Sequence, residues 1–385
     1  MEEWKEYKIG DVCNTISDTY KNNAESVVLI NTSDVLEGKC LNHEKVPNKD
    51  LKGQFKKTFQ KNDILYSEIR PANKRFAYID FAPIDYIAST KLMVIRHNEK
   101  ILPQYLFYIL KSQTIIEELQ MLAESRSGTF PQITFSEVAN IEIKLPPIEQ
   151  QRRILGVLKS LDDKIEVNRK TNENLEQQAH ALFKSWFVDF EPFKNGEFVE
   201  SELGMIPKGW RVGTFGEIMT IASGKRPPKK ESSFSHECNI PLVGASDIMG
   251  YTNSVLFNED ILVTGRVGTH GIVQRFNYPC WPSDNTLVLK SDYYEYCYQI
   301  LCTIDYASLN RGSTQPLITQ TDIKNQIILI PPYSVLSDFE KYVSTLMKAK
   351  ENNQRSSRRL AELRDTLLPK LMSGELKVNE IEDIL

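Results

Sequence analysis

RSGTFPQITFSEVANIEIKLPP, residues 126–147, aligns without a gap on RGSTQPLITQTDIKNQIILIPP, residues 311–332, with nine of 22 positions identical at a shift of 185. Four weaker blocks repeat in the same order. VLINTSDV (28–35) matches PLVGASDI (241–248), and NDILYSEIR (62–70) matches EDILVTGRV (259–267). STKLMVI (89–95) matches SDNTLVL (283–289), and WKEYKIGDV (4–12) matches WRVGTFGEI (210–218). The shift drifts between 185 and 213. One folding unit is therefore used twice, with loops of different length between fixed elements. Chance can supply one weak block, but not five in order.

The segments after each Pro-Pro also correspond. From Ile148 to Trp186 there is no proline, and the only glycine is Gly156. Ile154, Leu158, Leu161, Ile165, Asn168, Asn172, Leu175, Ala179, Leu182 and Trp186 recur in steps of 4 and 3. That is the seam of a heptad repeat. The same phase 185 residues on gives Phe339, Val343, Leu346, Lys350, Asn353, Ser357, Leu360, Arg364, Leu367 and Leu371, weakened by its two cations. Each stripe spans about 48 Å as a helix, long for a compact domain. The expectation is an antiparallel pair of helices packed chiefly on each other, with Asn168, Asn172, Asn353 and Ser357 forming a polar layer that fixes register.

The heads read as mixed. VVLINTSDV, KNDILYSEI, KLMVIRH and ANIEIKL suit short strands, and 103–125 and 293–309 each suit one helix. The expected class is α+β: two pseudo-symmetric globular heads separated by the helix pair. The predicted segments are a first head over 1–147, a long helix over 148–186, a linker over 187–209, a second head over 210–332, a second long helix over 333–373 and a tail over 374–385.

Composition narrows the function. The net charge of −4 argues against a protein that coats DNA with a basic surface, so any nucleic-acid face must be a local patch. With 41% apolar residues the chain can bury real cores, and it has no apolar run long enough for a membrane span. No signal peptide is indicated. The six cysteines are scattered without a CxxC, which disfavours zinc and disulfide frameworks and suits a reducing cytoplasm. No metal site is expected.

Catalytic signals fail on inspection. Ile330-Pro-Pro-Tyr333 looks like the Asp/Asn-Pro-Pro-Tyr loop of amino-methyltransferases, but Ile330 offers no acceptor for an amino group. Glu142-Ile-Lys144 looks like a nuclease Glu-x-Lys without its upstream acid. The Gly-rich stretch 265–271 lacks the Gly-Lys-Ser/Thr of a phosphate loop. No catalytic residue is expected.

Loops between the repeated blocks, where the copies differ most, carry clustered polar residues. They hold Arg70, Lys74 and Arg75; Arg126 and Gln132; Lys225, Arg226, Lys229 and Lys230; Arg266, His270 and Arg275; and Arg311 and Gln315. Arginine and glutamine can read base edges, while lysine mostly meets phosphate. One scaffold with divergent loops could thus read two different DNA sequences.

Leu145-Pro-Pro-Ile-Glu-Gln-Gln151, Leu182-Phe-Lys-Ser-Trp-Phe187, Glu202-Leu-Gly-Met-Ile-Pro-Lys-Gly-Trp210 and Arg311-Gly-Ser-Thr-Gln-Pro316 together resemble the specificity subunits of type I restriction–modification systems. The likeness covers essentially the whole chain. It implies two target recognition domains, each binding half of a split site in double-stranded DNA, on an antiparallel helix pair. It further implies docking of two methyltransferase (M) subunits and, in some complexes, restriction (R) subunits. S-adenosylmethionine, ATP and magnesium would belong to those partners, and this chain would itself be non-catalytic. The first head departs from the pattern, keeping Trp4 but lacking the Ile-Pro-Lys-Gly lead-in. The alternative reading is a coiled-coil scaffold whose heads bind protein; salt-dependent, sequence-selective DNA binding separates the two.

Overall fold

A computed structural model describes residues 4–49, 51, 53–126, 129–269, 271–309 and 317–380. The chain divides into two compact units, residues 1–167 with 356–385, and residues 168–355. The division runs through the middle of both long helices, so each unit holds one head and half of each helix.

In unit 1, strands Cys13–Ile16, Leu92–His97, Ile64–Ser67 and Phe76–Tyr78 lie in that order in an antiparallel sheet. A second sheet has the order Lys45–Pro47, Ser26–Ile30, Tyr86–Ser89, Phe55–Lys57, and its middle pair is parallel. Lys5–Lys8 closes the head by pairing with Glu142–Leu145. Unit 2 repeats the plan. Thr220–Ser223, Thr286–Lys290, Ile261–Gly265 and Val273–Phe276 form the antiparallel sheet. Ile248–Thr252, Ile240–Val243 and Trp281–Pro282 form the second, again with one parallel pair. Arg211–Thr214 pairs with Ile327–Ile330. Every repeated sequence block therefore lies on matching strands.

The central strands are mostly apolar because both faces are covered. Side chains alternate across a strand. Ile64 and Tyr66 join one core while Leu65 joins another on the opposite face; Leu262 and the pair Ile261 and Val263 divide the same way. Each fully buried aliphatic side chain contributes roughly 1.5–3 kcal/mol.

Residues 103–125 form two helices rather than one: α1 (Pro103–Leu110) and α2 (Gln113–Arg126). The break comes at Ser112, whose hydroxyl accepts the Ile115 N–H at 3.5 Å as an N-terminal cap. A short helix, α3 (Phe135–Asn140), precedes α4 (Ile148–Phe187). In unit 2, α5 (Tyr294–Thr303) stops before the expected residue 309. Asp305 diverts the chain into a turn by accepting the N–H groups of Ala307 and Ser308. α6 (Gln320–Lys324) and α7 (Tyr333–Ser373) follow, and α7 runs through Pro369 to its last turn.

The long helices bury more than one seam. In unit 1, Ile154, Leu158 and Leu161 of α4 and Leu367 and Leu371 of α7 share a core with Leu155, Leu368 and the residues of α1. In unit 2, Phe339 and Val343 are joined by Phe183, Leu336 and Met347. Leu155, Phe183, Met347 and Leu368 each sit one residue beyond a seam position. They carry each helix onto its head, in addition to the seam that packs the helices on each other. Ile165, Leu175, Leu182, Leu346 and Leu360 are half-buried.

Within unit 2 the helix pair is antiparallel. Buried Asn172 accepts from Asn353 Nδ2 at 3.1 Å, and Asn168 Nδ2 donates to the Asn353 carbonyl at 3.5 Å. Further toward the α4 C-terminus, Phe187 packs its ring 4.8 Å from Phe339. The segment 187–209 is ordered: a hairpin pairs Phe198–Ser201 with Gly204–Pro207. Trp210 rests on Phe187, Phe190 and Phe193. In unit 1 the tail plays a similar part. Gly374, at φ +76°, lies so close to Trp4 that a Cβ there would meet its ring at 2.9 Å.

Candidate nucleic-acid interface

In unit 1 the chain leaves strand Ile64–Ser67 and turns through Arg70 to Arg75. Arg70 and Lys74 bracket a single 3₁₀ turn, both in left-handed conformations, φ +45° and +52°. Such a backbone costs roughly 1–3 kcal/mol per non-glycine residue and persists only where its surroundings fix it. The Arg70 N–H donates to the Pro131 carbonyl at 3.1 Å, and the Glu37 N–H to the Lys74 carbonyl at 2.9 Å. The Ala72 N–H donates to the Gln120 side chain at 3.0 Å. A β-bridge joins Ile69 to Gln132. Two loops some 60 residues apart in sequence, Arg70–Arg75 and Arg126–Gln132, thus meet at one end of the main sheet.

Unit 2 uses the same device. Val267 and Leu317 form the matching bridge, and the Ile318 N–H donates to the Arg266 carbonyl at 3.0 Å. The Arg266 N–H donates to the Asn285 carbonyl at 2.8 Å. The Lys225–Arg226 loop comes to the same sheet end, where the Lys225 N–H reaches the Pro282 carbonyl at 3.0 Å. Two glycines permit this crowding. A Cβ on Gly224 would lie 2.1 Å from the Ser283 carbonyl oxygen, and one on Gly265 2.0 Å from that of Thr269.

The candidates differ in how free they are. Arg70, Lys225, Arg226 and Lys230 are exposed, and Arg266 is half-buried. Lys74 stands 3.9 Å from Glu37. Arg75 donates to the carbonyls of Ser33 and Val35. Arg126 is paired with Glu137 at 2.7 Å, and Lys229 with Glu231 and Glu237 at 3.0 and 2.7 Å. Gln132 accepts from Lys91 at 3.4 Å. Lys91, exposed beside this loop, escaped the sequence reading. Its signal is its position, since it precedes the repeated strand as Asn285 does in unit 2. His270, Arg311 and Gln315 lie outside the described residues.

Arg275 is a correction. Its guanidinium is only 11% exposed and grips Glu295 with two bonds, 2.6 and 2.8 Å, with Glu351 at 3.6 Å. The rings of Tyr294 and Tyr298 flank it. Burial opposes its charge, but these carboxylates hold its pKa above the ordinary arginine value. It is committed to the interior of unit 2, not to a surface.

The catalytic decoys have structural roles. Ile330 packs in the core of unit 2, while Tyr333 is exposed at the first position of α7. Lys144 pairs with Glu6 across the closing strands at 3.5 Å. All six cysteines are free thiols. Among the described residues, no helix is long and apolar enough to cross a membrane.

The family model described as "Type I restriction modification DNA specificity domain" matches residues 1–177 and 207–354. The chain is 32% identical to the type I restriction enzyme HindI specificity subunit of Haemophilus influenzae, over 98% of this chain and 100% of that one. It is 34% identical to the MjaIX specificity subunit of Methanocaldococcus jannaschii, over 78% and 77%. Among solved structures, the type I restriction–modification S subunit from M. genitalium matches 96% of both chains at 18% identity and a TM-score of 0.52, a likeness of fold.

Proposed function

Because this chain belongs to the family of type I restriction–modification DNA specificity subunits, which recognise DNA, we propose that its two heads each read one half of a bipartite site. The observation that carries this reading is the pair of matching bridges, Ile69 to Gln132 and Val267 to Leu317. Each gathers Arg- and Lys-bearing loops at the same end of the same sheet, while the residues gathered differ. Equivalent frames with different side chains are what two unlike half-sites require. The contacts come first from Arg70, Lys74 and Arg75 in unit 1, and from Lys225, Arg226, Lys230 and Arg266 in unit 2.

The chain serves two M subunits, and R subunits where present, as their guide to DNA. S-adenosylmethionine, ATP and magnesium act in those partners. This chain has no catalytic part: the residue that would grip a target amino group, Ile330, is turned into a core, and Lys144 is one side of a cross-strand ion pair.

Sequencing methylated DNA from cells with and without the gene tests the reading. The expected result is loss of one two-part adenine motif with a fixed gap. A motif without a gap, or no lost motif, would overturn it.

A further inference from the structure

Two bridges of related chemistry occur, one in each unit, and that of unit 1 also holds Lys111, 3.4 Å from Asp162. In unit 1 the Tyr108 hydroxyl of α1 donates to the Asp162 carboxylate of α4, and Arg364 of α7 donates to its other oxygen at 2.6 Å. In unit 2 the Tyr298 hydroxyl of α5 donates to Glu176 of α4 at 2.7 Å, and Lys350 of α7 stands 2.9 Å from the same carboxylate. Each phenol ring also carries a cation on its face. Lys111 lies 3.9 Å from the Tyr108 ring centre, and Arg275 lies 4.8 Å from that of Tyr298. Lys350 and Arg364 are 14% and 23% exposed and their acids Glu176 and Asp162 45% and 30%, so water screens these pairs in part.

Duplication did not supply these bridges. Under the shift of 185, Asp162 falls on Met347, Glu176 on Ala361, Lys350 on Ile165 and Arg364 on Ala179. Both acids stand on α4 and both cations on α7, so the arrangement breaks the repeat while giving each unit the same joint. Two heptads separate the acids on α4, and two separate the cations on α7. A slip of one heptad in either direction would place each acid opposite Ser357 or an apolar residue, never a cation.

Resting on the reading above, we infer that Tyr108, Asp162 and Arg364, with Tyr298, Glu176 and Lys350, are positioning residues that set the pose of each head on the helix pair and so the gap between half-sites the chain accepts. None touches DNA. A phenol from the head, an acid from one helix and a cation from the other leave the head no freedom to roll along the seam without breaking a charge-assisted bond.

The test uses the full chain assembled with the M subunits of its own cell. Initial methylation rates are compared on duplexes with the native gap and with one base pair more or fewer. Wild type must first show a two-part motif with one preferred gap; failure there refutes the proposed function itself. Lys350→Met with Arg364→Met is expected to raise the ratio of off-gap to native-gap rates at least tenfold. Lys350→Arg with Arg364→Lys is expected to keep the wild-type ratio. Should the methionine pair not assemble, Tyr108→Phe with Tyr298→Phe decides, since it leaves the helix ion pairs intact and is expected to raise the same ratio. A ratio unchanged in the methionine and phenylalanine variants, or all rates lowered in proportion, would overturn the inference alone.

Discussion

The side chain of Gln151 clips the start of α1: its oxygen accepts the Leu102 N–H at 2.9 Å, and its nitrogen donates to the carbonyls of Lys100 and Pro146. Gln151 is fully buried. Three backbone groups that have left regular structure are satisfied by one amide, which gives a physical reason for glutamine at the end of the Leu-Pro-Pro-Ile-Glu-Gln-Gln segment. Gln151→Leu strands those groups away from water, at about 1–3 kcal/mol. Thermal unfolding should show a lowered midpoint, with the methylated motif of the surviving complex unchanged. A midpoint equal to wild type would mean that water or a neighbour replaces the amide.

Unit 2 solves the same problem with a carboxylate, and its stability should depend on pH. Glu340 of α7 accepts the N–H groups of Glu295 and Tyr296 at 3.0 and 2.8 Å. It lines a cleft of about 1010 Å³ with Arg275, Glu295 and Glu351. Burial, aided by the negative charge of Glu295, pushes its pKa up to about 7, against the lowering effect of the backbone N–H groups and Arg275. The folded chain thus keeps a proton that the unfolded chain has released. Stability from this group is fully present below the unfolded carboxyl range and is lost as pH rises through about 7. The swing is at most about 3 kcal/mol. Glu340→Gln keeps an acceptor and removes the titration. Between pH 5 and 8 its unfolding midpoint should fall less than that of wild type, and parallel curves would refute the assignment.

Arg266 and Arg275 lie on either side of one loop and should fail in opposite ways. Arg266→Ala should weaken DNA binding by roughly 1–3 kcal/mol with little change in unfolding. Arg275→Ala leaves Glu295 buried beside Glu351 without its cation and should destabilise the chain by roughly 3–5 kcal/mol. Arg75→Ala should fall between, because its guanidinium also ties down the carbonyls of Ser33 and Val35. Paired measurements of affinity and unfolding separate the cases. Equal affinity losses at Arg266 and Arg275 without unfolding would place both on the DNA face.

The contrast between these arginines shows where sequence reading stops. The repeat is visible because its blocks are strands whose apolar pattern both copies need, so Ile64 to Ser67 and Ile261 to Gly265 align. The commitment of Arg275 depends on Glu295, twenty residues away, and on Glu351 in the middle of α7. No local period marks such a partner. The heptad seam was legible, but Leu155 and Met347, one step beside it, pack on the heads only because tertiary structure brings a surface to them. Ser112 and Asp305 end helices by side-chain bonds that compete with a continuing apolar pattern. The meeting of the Arg70 and Arg126 loops rests on the bridge from Ile69 to Gln132, a long-range pairing without a sequence signal of its own.

Exchange of one head should change one half of the motif, provided the graft brings its joints with it. Residues 1–145 from a relative replace the loops Arg70–Arg75 and Arg126–Gln132 while leaving the second head untouched. The helix segment 356–373 and the tail to residue 380 are retained, yet they belong to the same unit as the replaced head. A graft must therefore present an aromatic ring where Trp4 meets Gly374 and a phenol where Tyr108 meets Asp162. With both, the complex should methylate a motif with one new half, one old half and the original gap. A graft lacking the phenol should keep the new half but relax the gap. Sequencing methylated DNA from cells carrying each chimera reads both outcomes at once, and a change in both halves of the motif would show that the heads do not read independently.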